Sequence, residues 1–585
     1  MSLGKSITNS YISDIFAEMA VLLELAHENP FRVRAYQKAA LAIEGLSENI
    51  ASMPVEKILK IPGIGKGIAS HLEEIAGKGA FSEFEKLKKR FPKGLLDIVN
   101  VQGIGAKRAR ALYDKLGIDS MEKLMKKAMA GEIRNLDGFG EKIEQNIILG
   151  VKEASERKTD RILYWNARLI AEEILREIRS SGFGNPVYAG SLRRGKETIG
   201  DIDILCNGRP DGVLAEKLSK LSCVERTLST GPTKVSVILK KGVQVDIRII
   251  PEESFGAALC YFTGSKEHNV LLREIALKKG FTLNEYGLFR ISDKKQKKPI
   301  ASGTEEEIYR ALGLQFIPPE LREARGELEL AAKKTIPELV SASDVKGDIH
   351  NHTNLTDGKS SFEEMLEKAV SMGWEWIFIG DHTLSLGVAH GLDYARYAET
   401  KKTLEKASAK FPRIKTGRSI EMDILKTGDL DFSHEELEKT DLVIGAVHSS
   451  LRMKEEEMTR RILKAMTSPC LDVMAHLSGR MIGKREPSNI NYDMIFEEAL
   501  RHDIAFEING QPDRQDLTDV YARKAKETGL KIILSTDSHS AQQLEYMNMA
   551  VVVARRAGLT GKDVLNSLSY EEFREWISER RKTAG

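Results

Sequence analysis

The sequence predicts a multidomain protein that combines a helical N-terminal part, a mixed α+β middle part and a C-terminal α/β part of barrel type. The length of 585 residues is too great for one ordinary domain and suggests roughly three to five domains. Apolar residues recur at helical spacing in the first 50 residues, whereas short apolar strands alternate with helical segments from residue 345 onward. That alternation is typical of a parallel sheet, and in such a barrel the chemistry lies at the C-terminal ends of the strands.

Composition and charge exclude several classes of protein. The chain has no signal-peptide pattern and no apolar run of about 18 residues, so we expect a cytoplasmic protein without a membrane partner. The four cysteines form no C-x-x-C pair, so neither a thiolate zinc site nor a disulfide framework is expected. Residues 51–110 contain twelve Lys or Arg against six Asp or Glu, and such a basic surface suits nucleic-acid phosphates.

A short glycine pattern recurs three times in the N-terminal part. It appears as IPGIGKGIASHLEEI from Ile61, VQGIGAKRARALYDKL from Val101 and LDGFGEKIEQNI from Leu136. Glycines permit a tight turn, and the unpaired N–H groups at the start of the following helix can hold an anion. One copy could equally be a turn between packed helices, but three copies resemble helix-hairpin-helix elements, which grip DNA phosphates; the acidic third copy is expected to be structural. The expected DNA contacts are Gly63, Gly65, Lys66, Gly103, Gly105, Lys107 and Arg108.

The middle part carries acidic residues on predicted strands. In GSLRRGKETIGDIDIL, from Gly190, Asp201 and Asp203 are two residues apart and share one face of the strand, and VQVDIRII supplies Asp246. Buried carboxylates need partners or metals, and three hard oxygen donors suit two Mg²⁺ ions that can support in-line phosphoryl transfer. Asp201 and Asp203 alone could equally cap turns, but the Gly-Ser loop and Arg194 before them can cradle a triphosphate and favour the metal site.

The C-terminal part combines histidines and acids, each expected at the end of a strand. The stretch VKGDIHNHTNLTDG, from Val345, sets His350 and His352 two residues apart on one face of a predicted strand. Six of the chain's twelve histidines lie in such motifs. Imidazole mixed with carboxylate favours Zn²⁺, Mn²⁺ or Fe²⁺ over Mg²⁺, and a cluster of such ions would activate water and clamp a phosphate.

Four segments, GSLRRGKETIGDIDIL, VDIRIIP, YFTGS and GFTLNEYGLF, resemble the signature segments of family X DNA polymerases, the polymerase beta-like repair enzymes, over residues 1 to about 318. The resemblance implies a helix-hairpin-helix domain that is followed along the chain by an α+β core of nucleotidyltransferase type. It implies that Asp201, Asp203 and Asp246 are catalytic and hold Mg²⁺ or Mn²⁺, with Asp246 nearest the primer hydroxyl. The nucleotide contacts that it implies are Ser191, Arg194 and Gly200 at the triphosphate, Tyr261, Phe262 and Gly264 at the sugar, and Asn269 and Arg273 near the nascent pair and template.

Two positions depart from the pattern of this family. Lys266 stands where the animal enzyme has an acidic residue over the incoming base, and a cation there could stack on that base. His71 stands where polymerase beta carries its Schiff-base lysine, and imidazole cannot form the imine, so lyase activity is in doubt unless Lys60 or Lys66 substitutes. Arg32 is expected to bind a DNA 5′-phosphate.

The histidine motifs resemble those of the PHP (polymerase and histidinol phosphatase) domain over about 345–575, and all nine positions of that family's trinuclear pattern are filled. The resemblance implies a distorted TIM-like barrel that holds up to three Mn²⁺ or Zn²⁺ ions. Asp348 and Asp381 are expected to orient histidines, and Arg480 to meet a substrate phosphate. The implied ligand sets are His350, His352, Glu421 and Asp537 for one ion, Glu421, His448 and His476 for a second, and Asp357, His382 and His539 for a third.

The predicted domain boundaries follow these segments. They are an N-terminal helical DNA-binding domain at 1–90, a second helix-hairpin-helix subdomain at 91–155, a palm nucleotidyltransferase domain at 156–250, a C-terminal polymerase subdomain for the nascent base pair at 251–318, a linker at 319–344 and a PHP phosphoesterase domain at 345–575.

The expected function is short-gap filling on gapped or primed DNA, from dNTPs, in base excision repair, by a monomeric prokaryotic enzyme. Its PHP domain would act as a 3′→5′ exonuclease or 3′-phosphatase, with abasic-site endonuclease action also open. Two alternatives stay open. In one, 3′-end hydrolysis is the main activity and the polymerase is weak, because Lys266 alters nucleotide affinity. In the other, the histidine cluster is a metal-stabilised structural module.

Overall fold

The computed structural model describes residues 9–44, 46, 49–99, 101, 104–156, 161–180, 184–209, 212–292 and 298–584. Gly103, one of the expected DNA contacts, lies outside the described residues. Within these ranges, no helix is both long and apolar enough to cross a membrane.

Helices make up the described N-terminal part and share one apolar core that extends from Ile12 to Val151. They are α1 Asn9–Leu25, α2 Pro30–Glu44, α3 Val55–Ile58, α4 Lys66–Lys78, α5 Ser82–Arg90, α6 Lys93–Val99, α7 Ala106–Leu116, α8 Met121–Met129 and α9 Glu141–Glu156. The second glycine of two repeats, Gly65 and Gly105, immediately precedes α4 and α7, as the glycine pattern predicts.

A five-stranded mixed sheet forms the centre of the middle part. The elements of this region are β1 Ile162–Leu163, α10 Tyr164–Ser180, β2 Val187–Tyr188, α11 Gly190–Arg193, β3 Thr198–Ile199, β4 Ile202–Asn207, α12 Val213–Leu218, β5 Val224–Gly231, β6 Lys234–Leu239 and β7 Gln244–Ile250. The strand order is β2-β4-β7-β6-β5, and β1 pairs with β3. Because β4 and β7 are parallel neighbours, their register sets Asp203 directly opposite Asp246.

A second, smaller core follows the sheet. Its elements are α13 Phe255–Thr263, α14 Lys266–Lys278, β8 Phe281–Asn284, β9 Gly287–Arg290, α15 Glu305–Ala311 and α16 Glu327–Lys333. Leu328 of α16 belongs to the same buried cluster as Leu272 and Ile308, so part of the expected linker packs on this core. Glu305 joins the two cores through its carboxylate, which accepts from Arg322 Nη1 at 2.6 Å and from Arg193 Nη2 at 2.6 Å.

Seven parallel strands form the C-terminal barrel, and they lie side by side in chain order. The strands are β10 Gly347–Asp348, β11 Trp376–Ile379, β12 Lys415–Asp423, β13 Leu442–Ala446, β14 Val473–Met474, β15 Ala505–Asn509 and β16 Ile532–Ser535. The helices are α17 Phe362–Ser371, α18 Tyr394–Ser408, α19 His434–Glu438, α20 Glu455–Met466, α21 Tyr492–Arg501, α22 Asp519–Thr528, α23 Met547–Ala557 and α24 Tyr570–Ala584.

Alternate residues of the barrel strands face two different cores. In β11, Ile377 and Ile379 pack with the surrounding helices, whereas Trp376 and Phe378 belong to an inner cluster with side chains from the other strands. Helix α24 contributes Phe573 to that inner cluster, where its ring stacks on Trp376 with centroids 4.8 Å apart. The inner face of the barrel is therefore a packed core and not a pore.

The first and last strands are joined beyond their C-terminal ends. The N–H of His352 donates to the carbonyl of Ser538 at 2.7 Å, and the N–H of Asp537 donates to the carbonyl of His350 at 2.8 Å. These bonds close the sheet at the end where the predicted ligands lie. The predicted fold class, helical hairpins, an α+β core and an α/β barrel, is confirmed.

Replacing Glu305 with glutamine is expected to destabilise the protein by about 3–5 kcal/mol, because Arg322 would stay buried without a counter-ion. Burial opposes ionisation of Glu305, but Arg322 and Arg193 outweigh it and lower the pKa to about 2. The carboxylate therefore adds stability that is present above the unfolded pKa of about 4.3 and is lost as the pH falls toward the folded value.

Urea unfolding at several pH values between neutral and acid tests this expectation. The exposed neighbour Glu306 has the same chemistry without a buried partner, so Glu306→Gln is the matched control. Equal midpoints for the two variants at neutral pH would contradict the assigned role of Glu305.

Candidate functional sites

The predicted aspartates lie together on the parallel pair β4 and β7. Asp203 and Asp246 stand opposite each other in register, so both side chains project from the same face, and Asp201 precedes β4 on the same alternation. Gly190 lies against this face: a Cβ there would be 2.4 Å from Asp203 Oδ2, and its φ is +58°. The GSLRRG loop therefore approaches the carboxylates closely, and that approach requires glycine.

Neighbouring charges shift the pKa values of these acids in opposite directions. Burial, followed by the charges of Asp201 and Asp246, raises the pKa of Asp203 to about 7. Asp246 is also buried, but its oxygen lies 2.9 Å from Lys234 Nζ, which lowers its pKa. A divalent cation would relieve the repulsion among three acids, and their hard oxygens suit Mg²⁺. The residues thus fit the predicted metal site.

The residues expected at the triphosphate surround the same face. Ser191 lies in α11, Gly200 directly precedes Asp201, and Arg194 follows α11. The guanidinium of Arg194 donates through Nη1 to the carbonyl of Thr263 at 2.6 Å and through Nε to Glu323 Oε1 at 3.1 Å. A Cβ on Gly264 would lie 3.0 Å from the same Nη1 atom.

The residues expected at the sugar and the base pair lie on α13 and α14. Tyr261, Asn269 and Arg273 line one small cavity. Asn269 Nδ2 donates to the carbonyl of Tyr261 at 2.7 Å, and Arg273 Nε donates to the carbonyl of Asn269 at 3.2 Å. The guanidinium carbon of Arg248 lies over the ring of Phe262, 4.1 Å from the centroid of that ring. The structure brings these side chains together, and their roles in nucleotide binding stay predictions.

All nine predicted ligands of the histidine cluster converge at one end of the barrel. Their donor atoms form overlapping groups, and within each group all donor atoms lie within 4.8 Å of one another. The groups are His352, Asp357, His382 and His539; His350, His476 and Asp537; His350, His352 and Glu421; and His382, Glu421 and His448.

Glu421 is the centre of this cluster. Its carboxylate oxygens lie within reach of five of the six cluster histidines, at distances from 2.7 to 3.5 Å. His382 Nδ1 is 2.7 Å away and His476 Nε2 is 2.8 Å away. A carboxylate within reach of so many imidazoles fits a ligand of the implied metal ions, for which mixed carboxylate and imidazole donors are suited.

Several donor atoms in the cluster are buried without a hydrogen bond. They include both ring nitrogens of His352, Nε2 of His350, Nδ1 of His382 and Oε2 of Glu421. Buried polar atoms normally have hydrogen-bond partners. These atoms lie close to other donor atoms of the cluster, but not in the orientation of a hydrogen bond. Donor atoms that are close together and buried without hydrogen bonds are suited to ligate ions, so the residues fit the implied metals.

The members of the cluster shift one another's pKa values. Burial opposes ionisation of Glu421, but His382 and His448 hold its pKa well below the usual range. Burial also opposes protonation of His382, but Glu421 and then Asp357 raise its pKa to about 10. Burial and the neighbouring His382 and His539 lower the pKa of His352 to about 4, which keeps that ring neutral, the form in which imidazole binds a metal.

Three family models match parts of the chain. The DNA polymerase beta thumb matches residues 258–323, a helix-hairpin-helix domain matches 7–81, and a SAM-like helix-hairpin-helix tandem matches 95–153. A relative, DNA polymerase/3'-5' exonuclease PolX of Bacillus subtilis (strain 168), is 34% identical over 564 residues, which is 96% of this chain and 97% of that protein. The chain belongs to the family X DNA polymerases.

This family X polymerase is also similar to proteins of two other kinds. DNA polymerase lambda of Arabidopsis thaliana is 26% identical over 345 residues, 54% of this chain and 62% of that protein. DNA polymerase lambda of Rattus norvegicus is 27% identical over 325 residues, 50% of this chain and 52% of that protein. A probable phosphatase of Thermoanaerobacter sp. (strain X514) is 26% identical over 254 residues, 41% of this chain and 96% of that protein.

Two positional predictions for the histidine cluster are wrong. Strand β10 ends at Asp348, so His350 and His352 follow the strand and do not lie within it. Their ring centroids are nevertheless 5.2 Å apart, because the closing bonds to the segment after β16 hold this loop. Glu421 lies inside β12, two residues before its end, and not at the end of the strand.

The acids expected to orient histidine rings have a different role. Asp348 accepts from Thr536 Oγ1 at 2.7 Å, and Asp381 accepts from Arg418 Nη2 at 2.7 Å, so both hold the loops that carry the ligands. Glu507, in contrast, contacts a ring: its Oε1 lies 2.5 Å from His350 Nδ1. Glu507 was not among the residues predicted from the sequence, although an acid within the apolar strand IAFEING was the available signal.

The arginine expected at a substrate phosphate is engaged elsewhere. Arg480 donates through Nη2 to Glu197 Oε2 at 2.6 Å and through Nε to the carbonyl of Arg514 at 2.7 Å. Arg514 itself lies 3.3 Å from Asp537 Oδ2, beside the ligand cluster. Arg514 was not among the residues predicted from the sequence, and its contact with Asp537 makes it a better candidate than Arg480 to meet an anionic substrate.

The glycine loops of this polymerase lead into helix starts without side-chain caps. Gly63 has φ +94°, which a side chain would strain, and Gly65 and Gly105 are N-cap residues with no side chain to occupy the first N–H groups. Lys66 and Lys107 are exposed on the first turns, as is Arg108. Such helix starts suit a DNA phosphate.

His71, at the position of the Schiff-base lysine, and Arg32 both contact other residues of the N-terminal helices. His71 Nδ1 lies 2.8 Å from the Tyr36 hydroxyl, and its ring stacks on Phe81 with centroids 4.3 Å apart. Arg32 forms an ion pair with Glu83. His71 therefore has a packing role, and Arg32 has to exchange Glu83 for a DNA phosphate if it binds one.

Glu507→Gln is expected to weaken Mn²⁺ binding at the cluster by about 10- to 100-fold, because residues that hold a ligand histidine in place have effects of that size. The variant keeps all nine ligands but loses the charge beside His350. Titration of metal-stripped protein with Mn²⁺ measures the change. Glu545→Gln, at an exposed carboxylate of the same domain that pairs with Lys368, is the matched control; equal affinities would overturn this role for Glu507.

Proposed function

We propose that this family X polymerase fills short gaps in DNA from dNTPs and trims or cleans DNA 3′ ends, as base excision repair requires. The observation that carries the proposal is the presence of two separate ligand sets in one chain, the aspartates of the sheet and the nine residues of the barrel. Support comes from the Bacillus subtilis relative, whose name contains both activities and which matches 96% of this chain.

At the first site, Asp201, Asp203 and Asp246 would hold Mg²⁺ or Mn²⁺. Bound ions of this kind supply activation of the primer hydroxyl and neutralisation of the leaving phosphates. The chain's own residues bind and orient the nucleotide. Arg194 presents a guanidinium anchored by two hydrogen bonds, and the loop at Gly190 brings backbone N–H groups beside the carboxylates.

At the second site, the nine cluster residues would hold up to three Mn²⁺ or Zn²⁺ ions. Bound ions of this kind supply an activated water and binding positions for phosphate oxygens. Glu507 fixes the proton of His350 on Nδ1 and leaves Nε2 facing the cluster. Arg514 places a partly exposed guanidinium beside Asp537, where it would bind and orient an anionic substrate.

The helix-hairpin-helix elements would hold the DNA through its backbone. Lys66 and Lys107 lie at helix starts whose N–H groups have no side-chain cap, and both features bind phosphate without reading sequence. Binding to gapped DNA should therefore weaken steeply with salt.

Asp246→Ala is expected to lose primer extension and keep 3′ shortening, and His350→Ala is expected to show the reverse. Each removes a metal ligand, and loss of metal catalysis costs several kcal/mol, or about 100-fold or more in rate. A labelled primer on gapped DNA with Mn²⁺, with and without dNTPs, measures both activities. The double variant should lose both and serves as the control for contaminating enzymes. Loss of both activities in either single variant would contradict independent sites.

A primer that ends in a 3′-phosphate gives a second test of the barrel site. Wild-type protein is expected to release the phosphate and then extend the primer, because the same ligands can act on a monoester, and the relative named as a probable phosphatase supports this. His350→Ala should leave the blocked end intact and extend a hydroxyl-ended primer normally. If wild-type protein leaves the 3′-phosphate in place, the barrel site does not hydrolyse monoesters, and its action would be limited to the phosphodiester bonds of DNA.

A further inference from the structure

The loop that carries Arg194 rests on a helix of the barrel. Gly195 has φ +68°, and a Cβ there would lie 2.4 Å from Val552 Cγ1 and 3.4 Å from Arg556 Cδ, both on α23. The same helix contributes Met549 to the apolar core of the polymerase sheet. The nucleotide-binding loop of one site is therefore shaped by an element of the domain that contains the other site.

Arg556 connects this helix to the loop by hydrogen bonds. Its Nη1 donates to the carbonyl of Arg194 at 2.6 Å and to Glu323 Oε1 at 3.0 Å, and its Nη2 donates to Asp519 Oδ2 at 2.8 Å. The side chain is only 6% exposed, so these contacts are made away from water. Buried charge-assisted hydrogen bonds of this kind fix geometry more firmly than surface pairs do.

Glu323 is shared between the two arginines. The same Oε1 atom accepts from Arg194 Nε at 3.1 Å, and Lys196 Nζ lies 3.9 Å from Oε2. Burial opposes ionisation of Glu323, but Arg556, Lys196 and Arg194 outweigh it and lower the pKa to about 2. The carboxylate of Glu323 thus holds the Nε edge of Arg194 and at the same time interacts with two other cations, Arg556 and Lys196.

The anchoring leaves one edge of Arg194 available. Nε is taken by Glu323 and Nη1 by Thr263, whereas Nη2 has no hydrogen-bond partner in the part of the chain that the structure describes. A guanidinium held at two positions presents its remaining N–H groups in a fixed direction. Such orientation is what a triphosphate site requires.

We propose that Arg556 is a positioning residue of the polymerase site, through which the barrel domain sets the affinity for the incoming nucleotide. The proposal rests on the proposed role of Arg194 at the triphosphate. Without Arg556, Glu323 has one strong partner fewer and turns toward Arg194, where it competes with the triphosphate, and the loop carbonyl loses its donor. Nucleotide binding should weaken, while hydrolysis at the barrel site, which does not use this loop, should not change.

Steady-state gap filling by the full chain tests this. Arg556→Met is expected to raise the KM for dNTP by about tenfold, with kcat changed by less than about twofold, since a misplaced binding group affects orientation before chemistry. Arg556→Lys should restore part of the affinity. Arg555→Met is the matched control: Arg555 lies on the same helix, but its hydrogen bonds go to Glu320 and to the carbonyl of Val340 and not to the carbonyl of Arg194 or to Glu323. The exonuclease rate without dNTP should be equal in all four proteins.

Two further variants separate the possible failures. Arg194→Ala should raise the KM at least as much, and adding Arg556→Met to it should raise the KM no further, because both act through one guanidinium. If Arg194→Ala leaves the KM unchanged, the proposed role of Arg194 fails. If Arg194→Ala raises the KM and Arg556→Met behaves like Arg555→Met, or lowers both activities in parallel, the positioning role is overturned. Should Arg556→Met not fold, Glu323→Gln tests the same link with Arg556 in place and should also raise the KM.

Discussion

The closure of the barrel is the constraint on which the histidine cluster depends. In a seven-stranded parallel sheet whose strands follow chain order, the first and last strands are the two edges, and a barrel forms only when these edges are joined. Here they are joined by backbone hydrogen bonds among His350, His352, Asp537 and Ser538. The bonds that remove the open edge are therefore made by the residues that carry ligands. Since parallel strands all end at the same side, the ligands that follow the other strands meet them there. One topological requirement places nine side chains around one space.

That arrangement concentrates charge in the interior, and the surrounding residues show how it is tolerated. Glu421 contacts five histidines, and Glu507 and Asp423 add further carboxylates around the same rings. Buried charges are stable only when paired, and a set built from alternating acids and imidazoles pairs internally. The loops are held by Asp348 and Asp381, whose partners are threonines, Asn351 and the fully buried Arg418. Rigid support of this kind allows donor atoms to stay buried without hydrogen bonds.

Much of this could be predicted from the sequence because its signals are local or periodic. The spacing of Asp201 and Asp203, the Gly-x-Gly helix starts and the His and Asp residues after apolar strands all lie within a few residues of the element that places them. Glu507 could not be assigned, because an acid in a strand shows nothing about which ring lies opposite it, 157 residues away. Arg556 and Glu323 are 233 residues apart, and neither stands in a recognisable motif. The role of Gly195 depends on a helix of another domain.

These long-range contacts show that the two halves are one folded unit in physical terms. Met549 completes the apolar core of the polymerase sheet, and the rings of Trp165 and Tyr546 meet edge to face with centroids 5.2 Å apart. If the barrel were removed, Glu323 would lose Arg556, and Gly195 would lose the surface that explains its missing side chain. The loop of Arg194 and the core of the sheet are therefore completed by residues that a domain boundary drawn before residue 345 assigns elsewhere. A chain that carries both activities has a structural reason to keep them joined, because the loop proposed to bind the nucleotide packs against helix α23 on the outside of the barrel.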